Sequence, residues 1–423
     1  MLDSENACGK PPKKHSKAWL VILLVILAVA VLAASAFMTF NFFGARDWAF
    51  SLLEAGHSEP SEASSPSKDE TEAVVSEESS IPEIEESPAE SSTEPSQAEE
   101  QTHGWVINQM GYTYLYEGCG IEQFNFTEST LGKFSEQMNV LGSKITTSSH
   151  IFCLPIPTRI SYYQNEIPVQ VRREDNFFNS SQRDFLDALS QALPSKMKLI
   201  DLYEVFDYAY QQGNDPYFKT DKNWTSDAAY LAYTRYCEMR KLTPVQLSDY
   251  TKIEKEGFLG SFYYATINDP KNDLMEPEKF AYYQNKATTD SVNTVYQNGL
   301  TFKNYCLADN LVSDVSDSYF VYLGTSKAHF KITTKAGTGN RMLIIGDQSA
   351  AAMIPFLANH FNEIDYYDIS QSTESITDIL SQHRYNDILV CAYMTNMVKG
   401  EFPGYLSNLL GMTEQTQQES SAE

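Results

Sequence analysis

The sequence is short of positive charge, of cysteine and, over one long stretch, of aromatic residues, and each shortage argues something away. Thirty-one Lys and Arg stand against 56 Asp and Glu, a formal net charge of -25 over 423 residues. A surface built to neutralise phosphates carries the opposite balance, which argues against nucleic acid as a partner. The six cysteines, Cys8, Cys119, Cys153, Cys237, Cys306 and Cys391, are widely spaced. That spacing indicates neither a metal cluster nor a disulfide framework. Buried free thiols are expected, with one bridge as the alternative, and neither a metal nor a cofactor is implied. Phe, Tyr and Trp are missing altogether from Ser51 to His103, although the chain holds 26 Tyr and 23 Phe.

The N-terminus has what the rest lacks. Lys10, Lys13, Lys14 and Lys17 precede an uncharged run from Ala18 to Ala45 that includes LVILLVILAVAVLAASAF. A helix needs about 20 apolar residues to span a bilayer. The lysines lie before the run and only Arg46 closely follows it, so residues 1–17 are expected in the cytoplasm, 18–43 as a signal anchor, and the rest outside the cell. A cleaved signal peptide with Ala34-Ser35-Ala36 as its small-residue site is the competing reading, but its apolar core is usually only about 7 to 15 residues. From Gly44 to Gln101, 16 acidic residues face only Arg46 and Lys68 in a text of Ser, Glu, Pro and Ala. Such a stretch repels itself and has little to bury. Residues 44–103 are therefore read as a disordered acidic stalk, 104–411 as the folded domain and 412–423 as a disordered tail.

Within that domain, short continuous apolar runs mark strands of a parallel sheet and periodic segments mark helices. Arg341–Gly346, Glu363–Ile369 and Asp387–Tyr393 read as strands, with helices over Ser349–Phe361 and Thr373–His383 between them. Earlier in the chain, 151–155 and 198–200 read as strands, and 182–193, 202–211 and 226–242 as helices. The alternation points to an α/β fold: a parallel sheet with helices on both faces and its site at the carboxyl ends of the strands. Residues 245–340 are less regular and suit short strands and excursions.

Two turns carry the chemical interest. Leu343-Ile-Ile-Gly-Asp-Gln-Ser349 is a strand-to-helix turn of the kind that presents a Ser nucleophile and oxyanion donors. Tyr217-Phe-Lys-Thr-Asp221-Lys-Asn-Trp224-Thr-Ser226 ends an extended stretch and caps the next helix. The phrases YFKTDKNWTSDAAYLAY, GFLGSFYY and LIIGDQSAAAMIPFLANHFNEIDYYDIS, behind an N-terminal anchor, resemble the DHHW family of bacterial extracytoplasmic proteins. That family is similar to the SGNH-hydrolase-like alginate O-acetyltransferases. The resemblance covers most of residues 104–411 and implies an SGNH-like fold. It also implies an Asp-His-His-Trp motif whose Asp orients and whose second His acts as base, and a Gly-Asp-Ser motif whose Ser carries an acyl group.

This chain departs from both motifs. Asp221 and Trp224 match, but Lys222 and Asn223 stand where the histidines belong, and Gln348 follows Gly346 and Asp347 in place of the Ser. An Asn amide accepts no proton near neutral pH and a Gln amide is no nucleophile. Loss of such a triad costs up to about 10⁶ in kcat, roughly 8 kcal/mol of barrier. Asp221, Asn223 and Gln348 are thus read as the positions of a degenerate triad, with Ser349 as the substitute nucleophile and His329 as the substitute base to be weighed against that reading. Ser349 is displaced by one residue, about 100° of rotation at a helix start. Trp224 reads either as a sugar-stacking platform or as core, and Asn396, just past a strand end, either as an oxyanion donor or as a turn cap.

Three functions follow. One is a membrane-anchored, catalytically degenerate protein that binds a cell-envelope glycan or assists a membrane-bound O-acyltransferase. The second is an active O-acetyltransferase or esterase using Ser349, and the third a structural interaction module of the envelope.

Overall fold

The computed structural model describes residues 103–108, 111–146, 148–173, 179–297, 300–305, 307, 315–324 and 327–412. The expected anchor at 18–43, all but the last residue of the stalk, Cys8 and Cys306 lie outside the described residues. Among the described residues no helix is long and apolar enough to cross a membrane. Cys119, Cys153, Cys237 and Cys391 are buried free thiols.

A meander of β1 (His103–Asn108), β2 (Gly111–Tyr116) and β3 (Cys119–Glu122) opens the fold. The main sheet is built from β4 (His150–Ile156), β5 (Met197–Leu199), β8 (Val292–Gln297), β9 (Leu300–Tyr305), β10 (His329–Thr333), β11 (Arg341–Gly346), β12 (Glu363–Asp368) and β13 (Asp387–Tyr393). Its order is β5-β4-β13-β11-β12-β10-β8-β9. A separate ribbon pairs β6 (Thr251–Phe258) with β7 (Glu278–Gln284).

The sheet is mixed, which corrects the expected parallel one. β5, β4, β13, β11 and β12 run parallel, whereas β10, β8 and β9 are added antiparallel. The parallel strands are the continuous apolar runs, because helices cover both of their faces. On one face Ile151, Cys153, Leu343, Ile345, Ile388 and Val390 join a core. Helices Glu128–Lys144, Gln182–Ala192, Ile376–Gln382 and Phe402–Leu410 contribute Phe134, Phe185, Ile379 and Leu406 to it. On the other face the Phe152 ring meets Tyr236 edge-on at 5.3 Å. Tyr236 belongs to helix Ser226–Arg240, buried over most of its circumference. That helix is anchored across the sheet by Asp387, which accepts from the Tyr236 hydroxyl at 3.0 Å and pairs with Arg240.

The expected helix over Ser349–Phe361 is also corrected. A 3-10 turn at Gln348–Met353 leads into a single α-turn at Ile354–Leu357. Pro355 brings no N–H to continue a ladder.

Candidate functional site

The first turn is fixed from several sides. The backbone of Tyr217 bridges that of Trp224, and Thr225 caps helix Ser226–Arg240 by accepting from the Ala228 N–H at 3.2 Å. Glu278 on β7 accepts from the N–H groups of Lys219 and Thr220 at 2.8 and 2.7 Å. Asp221 is buried at the turn's centre, its Oδ1 accepting from the Asn223 N–H at 2.7 Å and its Oδ2 from the Ser261 N–H at 2.8 Å. Gly260 makes the second contact feasible, since a Cβ there would lie 2.2 Å from the Asp221 Cβ. Burial raises the Asp221 carboxyl above its ordinary pKa, while these two N–H groups oppose the shift.

The second turn leaves β11. A Cβ on Gly346 would stand 2.1 Å from the Cys391 carbonyl oxygen, so only glycine lets β11 end this close to β13. Asp347 follows with every lone pair engaged. Its Oδ1 accepts from the Ser349 N–H at 3.0 Å and from the Ser349 hydroxyl; its Oδ2 accepts from the Tyr393 N–H at 3.2 Å and from Asn396 Nδ2 at 2.6 Å. Burial again raises the carboxyl, and the Ser349 and Asn396 donors act against it.

The two turns meet. The Trp224 indole donates to the Ser349 carbonyl at 2.9 Å, and the Tyr393 hydroxyl accepts from the Trp224 N–H at 2.6 Å. Above this junction lies a cleft of about 350 Å³ at the carboxyl ends of β11, β12 and β13. Asn223, Gln348, Ser349 and Asn396 all line it, together with Lys222, Lys399 and Tyr405. Among the described residues, the Asn223 and Gln348 carboxamides make no hydrogen bond to the protein, so both present free donors and acceptors to the cleft. The Ser349 hydroxyl is committed to Asp347 and the residue is only 2% exposed.

Three sequence-level candidates have other surroundings. Trp224 is fully buried and packs against Phe206 at 6.2 Å, which makes it core and removes it as a stacking platform. Asn396 caps Asp347 instead of aiming its amide at a reacting atom. His329 is not among the residues lining the cleft. Its Nε2 pairs with Asp365 Oδ1 at 2.8 Å and its ring stacks on Tyr367 and Tyr296 at 4.1 and 5.0 Å. Nearby, Glu363, Asp365 and His383 bring three would-be metal ligands within 4.8 Å of one another. Lys331 and Arg341 already reach Glu363 at 3.0 and 3.2 Å, so cationic side chains hold that ground.

Sequence reasoning missed the residues that act from a distance along the chain. Gly260, Ser261 and Glu278 hold the first turn, and β3 brings Glu122 beside the cleft, where the Thr395 hydroxyl reaches it at 3.5 Å. Burial raises the Glu122 carboxyl, with Lys222 and then Lys399 opposing. The GFLGSFYY phrase was a usable signal for the first pair; nothing local marks Glu122.

A family model described as "DHHW protein" matches residues 50–367, most of the chain, and the chain belongs to that family. Among solved structures it is similar to a DHHW family protein from Eubacterium siraeum, at 23% identity and a TM-score of 0.61, over 73% of this chain and 96% of that one. It is also similar to PatB1 of Bacillus cereus solved with a sulfonyl adduct, at 18% identity and a TM-score of 0.57, over 71% of this chain and 97% of that one. The O-acetyltransferase domain of AlgJ from Pseudomonas putida matches at 12% identity and a TM-score of 0.39, over 73% and 99%. At identities this low the first two likenesses speak to the fold alone, and nothing rests on the third. No curated protein matches the sequence.

Proposed function

We propose that this DHHW protein is a membrane-anchored, extracytoplasmic, SGNH-like member of its family whose cleft binds without catalysing. It would hold a cell-envelope glycan, alone or in support of a membrane-bound O-acyltransferase. The observation that carries the reading is a pair of carboxamides, Asn223 and Gln348, that have no hydrogen-bond partner among the described residues and line one cleft at the meeting of the two turns. Neither amide can take a proton or attack a carbonyl. Each offers an N–H₂ and a C=O, the groups that recognise sugar hydroxyls and acetamides.

One observation favours a second reading, an esterase or O-acetyltransferase built on Ser349: its hydroxyl donates to a carboxylate, as a nucleophile does to its base. Against it, Asp347 already receives two backbone N–H groups and the Asn396 amide. Those donors occupy the lone pairs on which a base would take the proton, although burial still holds the carboxyl above its ordinary value.

The test uses the full chain in detergent with p-nitrophenyl acetate and, separately, phenylmethanesulfonyl fluoride, chosen because PatB1 carries a sulfonyl adduct. No turnover and no covalent mass increase are expected. The double variant Asn223→His with Gln348→Ser should gain both, whereas each single change does little because such residues act as a unit. Wild-type turnover lost in Ser349→Ala would establish the second reading instead.

A further inference from the structure

One excursion next to the first turn is apolar on both of its sides. Helix Ser261–Thr266 turns Phe262 inward, where it packs with Leu115 and Met275, and leaves Tyr264 and the C-cap Ile267 exposed at 51% and 50%. A 3-10 turn at Pro270–Leu274 follows. Asn272 fastens it to the helix, its Nδ2 donating to the Tyr263 carbonyl at 2.9 Å, and Leu274 is left 43% exposed. Three of the seven large apolar side chains that stand exposed among the described residues thus fall within 11 residues of sequence. Residues 257–268 carry no charge, in a chain of net charge -25. The first charges after them close on each other, Lys271 pairing with Asp269 at 3.0 Å. A helix that is hydrophobic all round calls for cover on its outer side, and clustered exposed apolar groups mark a contact surface.

Its place in the fold says what that cover is. On one side the excursion joins the cleft: the Lys222 N–H donates to Ser261 Oγ at 3.2 Å, and the Phe262 N–H to the Thr220 carbonyl at 2.9 Å. On the other it meets the start of the domain. A Cβ on Gly104 would lie 2.9 Å from Lys271 Cε, and Val106 of β1 packs on the Leu115, Phe262 and Met275 cluster. Residues 1–102, with the uncharged run Ala18–Ala45, therefore lead into the fold beside this excursion. We propose that a lipid bilayer covers it: Tyr264, Ile267 and Leu274 seat in the interface of the membrane that holds the anchor, and the Lys222 rim of the cleft comes to lie next to the lipid surface. The proposal rests on the membrane-anchored reading above and adds how the domain is held there. Tyrosine and aliphatic side chains suit that interface. Three side chains are too few to hold a free protein on a bilayer. Residues 44–102, however, reach only on the order of 40 Å as a coil, so docking is an intramolecular step at high effective concentration. With Lys271 already paired, the attraction is apolar and needs no anionic headgroup.

Tryptophan emission of the full chain tests this in phosphatidylcholine nanodiscs, with one copy per disc and with or without bromine on the acyl chains. Trp19 and Trp48 stand at the two ends of the apolar run, so brominated lipid should quench the wild type already. Tyr264→Trp should add emission that bromine quenches. Tyr296→Trp, at the exposed tyrosine of β8, should add emission that it leaves alone. Combining Ile267→Ser and Leu274→Ser with Tyr264→Trp should weaken docking about tenfold and remove most of the added quenching. Equal responses of the Tyr264→Trp and Tyr296→Trp variants overturn the proposal while leaving an anchored chain. A wild type that bromine does not quench overturns the anchor and the proposal together. A change at Tyr264→Trp that appears only with two copies per disc, and ignores bromine, assigns the surface to a second copy of the chain and overturns the bilayer as its cover.

Discussion

The five parallel strands and the three antiparallel ones make one sheet under different obligations. Every residue of β13 is buried, and β11 is exposed only at Arg341, because helices close both faces. Along β8 burial alternates, and Val292 and Tyr296 remain 37% exposed. β9 is the edge strand, and Leu300 there is 60% exposed. The site sits where the first region ends. Strands packed on both sides cannot shift, so the groups at their carboxyl ends inherit a fixed position. The antiparallel addition extends the sheet without touching the cleft, and His329, its one candidate, is locked between two tyrosines.

Truncation tests that difference most sharply. Leu389→Ala, in the middle of β13 at 0% exposure, should cost about 2–5 kcal/mol in urea unfolding. Val295→Ala on β8, at 7%, removes less apolar surface and should cost about 1.5 kcal/mol. Equal losses would mean that the extension is as integral as the parallel strands. Gly346→Ala comes next, at about 1–3 kcal/mol. Its Cβ would meet the Cys391 carbonyl, and the β11–β13 spacing would have to open. Because Asp347 follows directly, the same variant should weaken cleft binding, an effect that Val295→Ala should not share.

The regions also differ in how far their sequences announce them. Arg341–Gly346 and Asp387–Tyr393 stand out as strands because burial on two faces demands uninterrupted apolar residues, and the observed bounds are those read from sequence. β8 and β10 alternate and are short, so VNTVYQ and HFKIT do not rise above the surrounding turns. Nothing in the parallel runs signals that hairpin-linked strands will be added antiparallel at one side. At the site, the two motif turns were legible through family resemblance, whereas Glu278 and Glu122 act on them from 58 and 225 residues away from Thr220 and Asp347, beyond any local pattern. Trp224 shows the opposite limit. Its identity matches the family motif, but only packing reveals that its ring faces the core.

A smaller effect separates the regions by pH. Burial holds the Glu122 carboxyl above its ordinary value of 4.5. A carboxyl that keeps its proton more tightly in the folded state stabilises the fold at acid pH and loses that contribution as pH rises from the ordinary value through the raised one. Glu122→Gln carries no such charge, so its stability relative to wild type should climb across that window and then level off. The deficit of Val295→Ala, a purely apolar change, should stay level throughout. A Glu122→Gln difference that is flat from pH 4 to 8 would mean that Lys222 and Lys399 compensate the buried carboxylate fully.

The smallest expected effect concerns the chain before the fold. The family match begins at residue 50, inside the stretch read from composition as a stalk, while the first described strand begins at His103. Two accounts of residues 51–100 are thus in competition: a matched segment that packs on the domain, or a spacer that precedes it. Composition favours the spacer, because the stretch has no aromatic residue and its carboxylates repel one another, leaving little apolar area to offset the entropy of ordering it. Deleting 51–100 from the full chain should therefore move the melting temperature by less than about 2 °C. For a domain of this size that corresponds to less than roughly 1 kcal/mol. A fall of 5 °C or more would make the segment part of the folded unit, and the contrast between the two parts of the sheet would have to be redrawn with a third element packed on one of them.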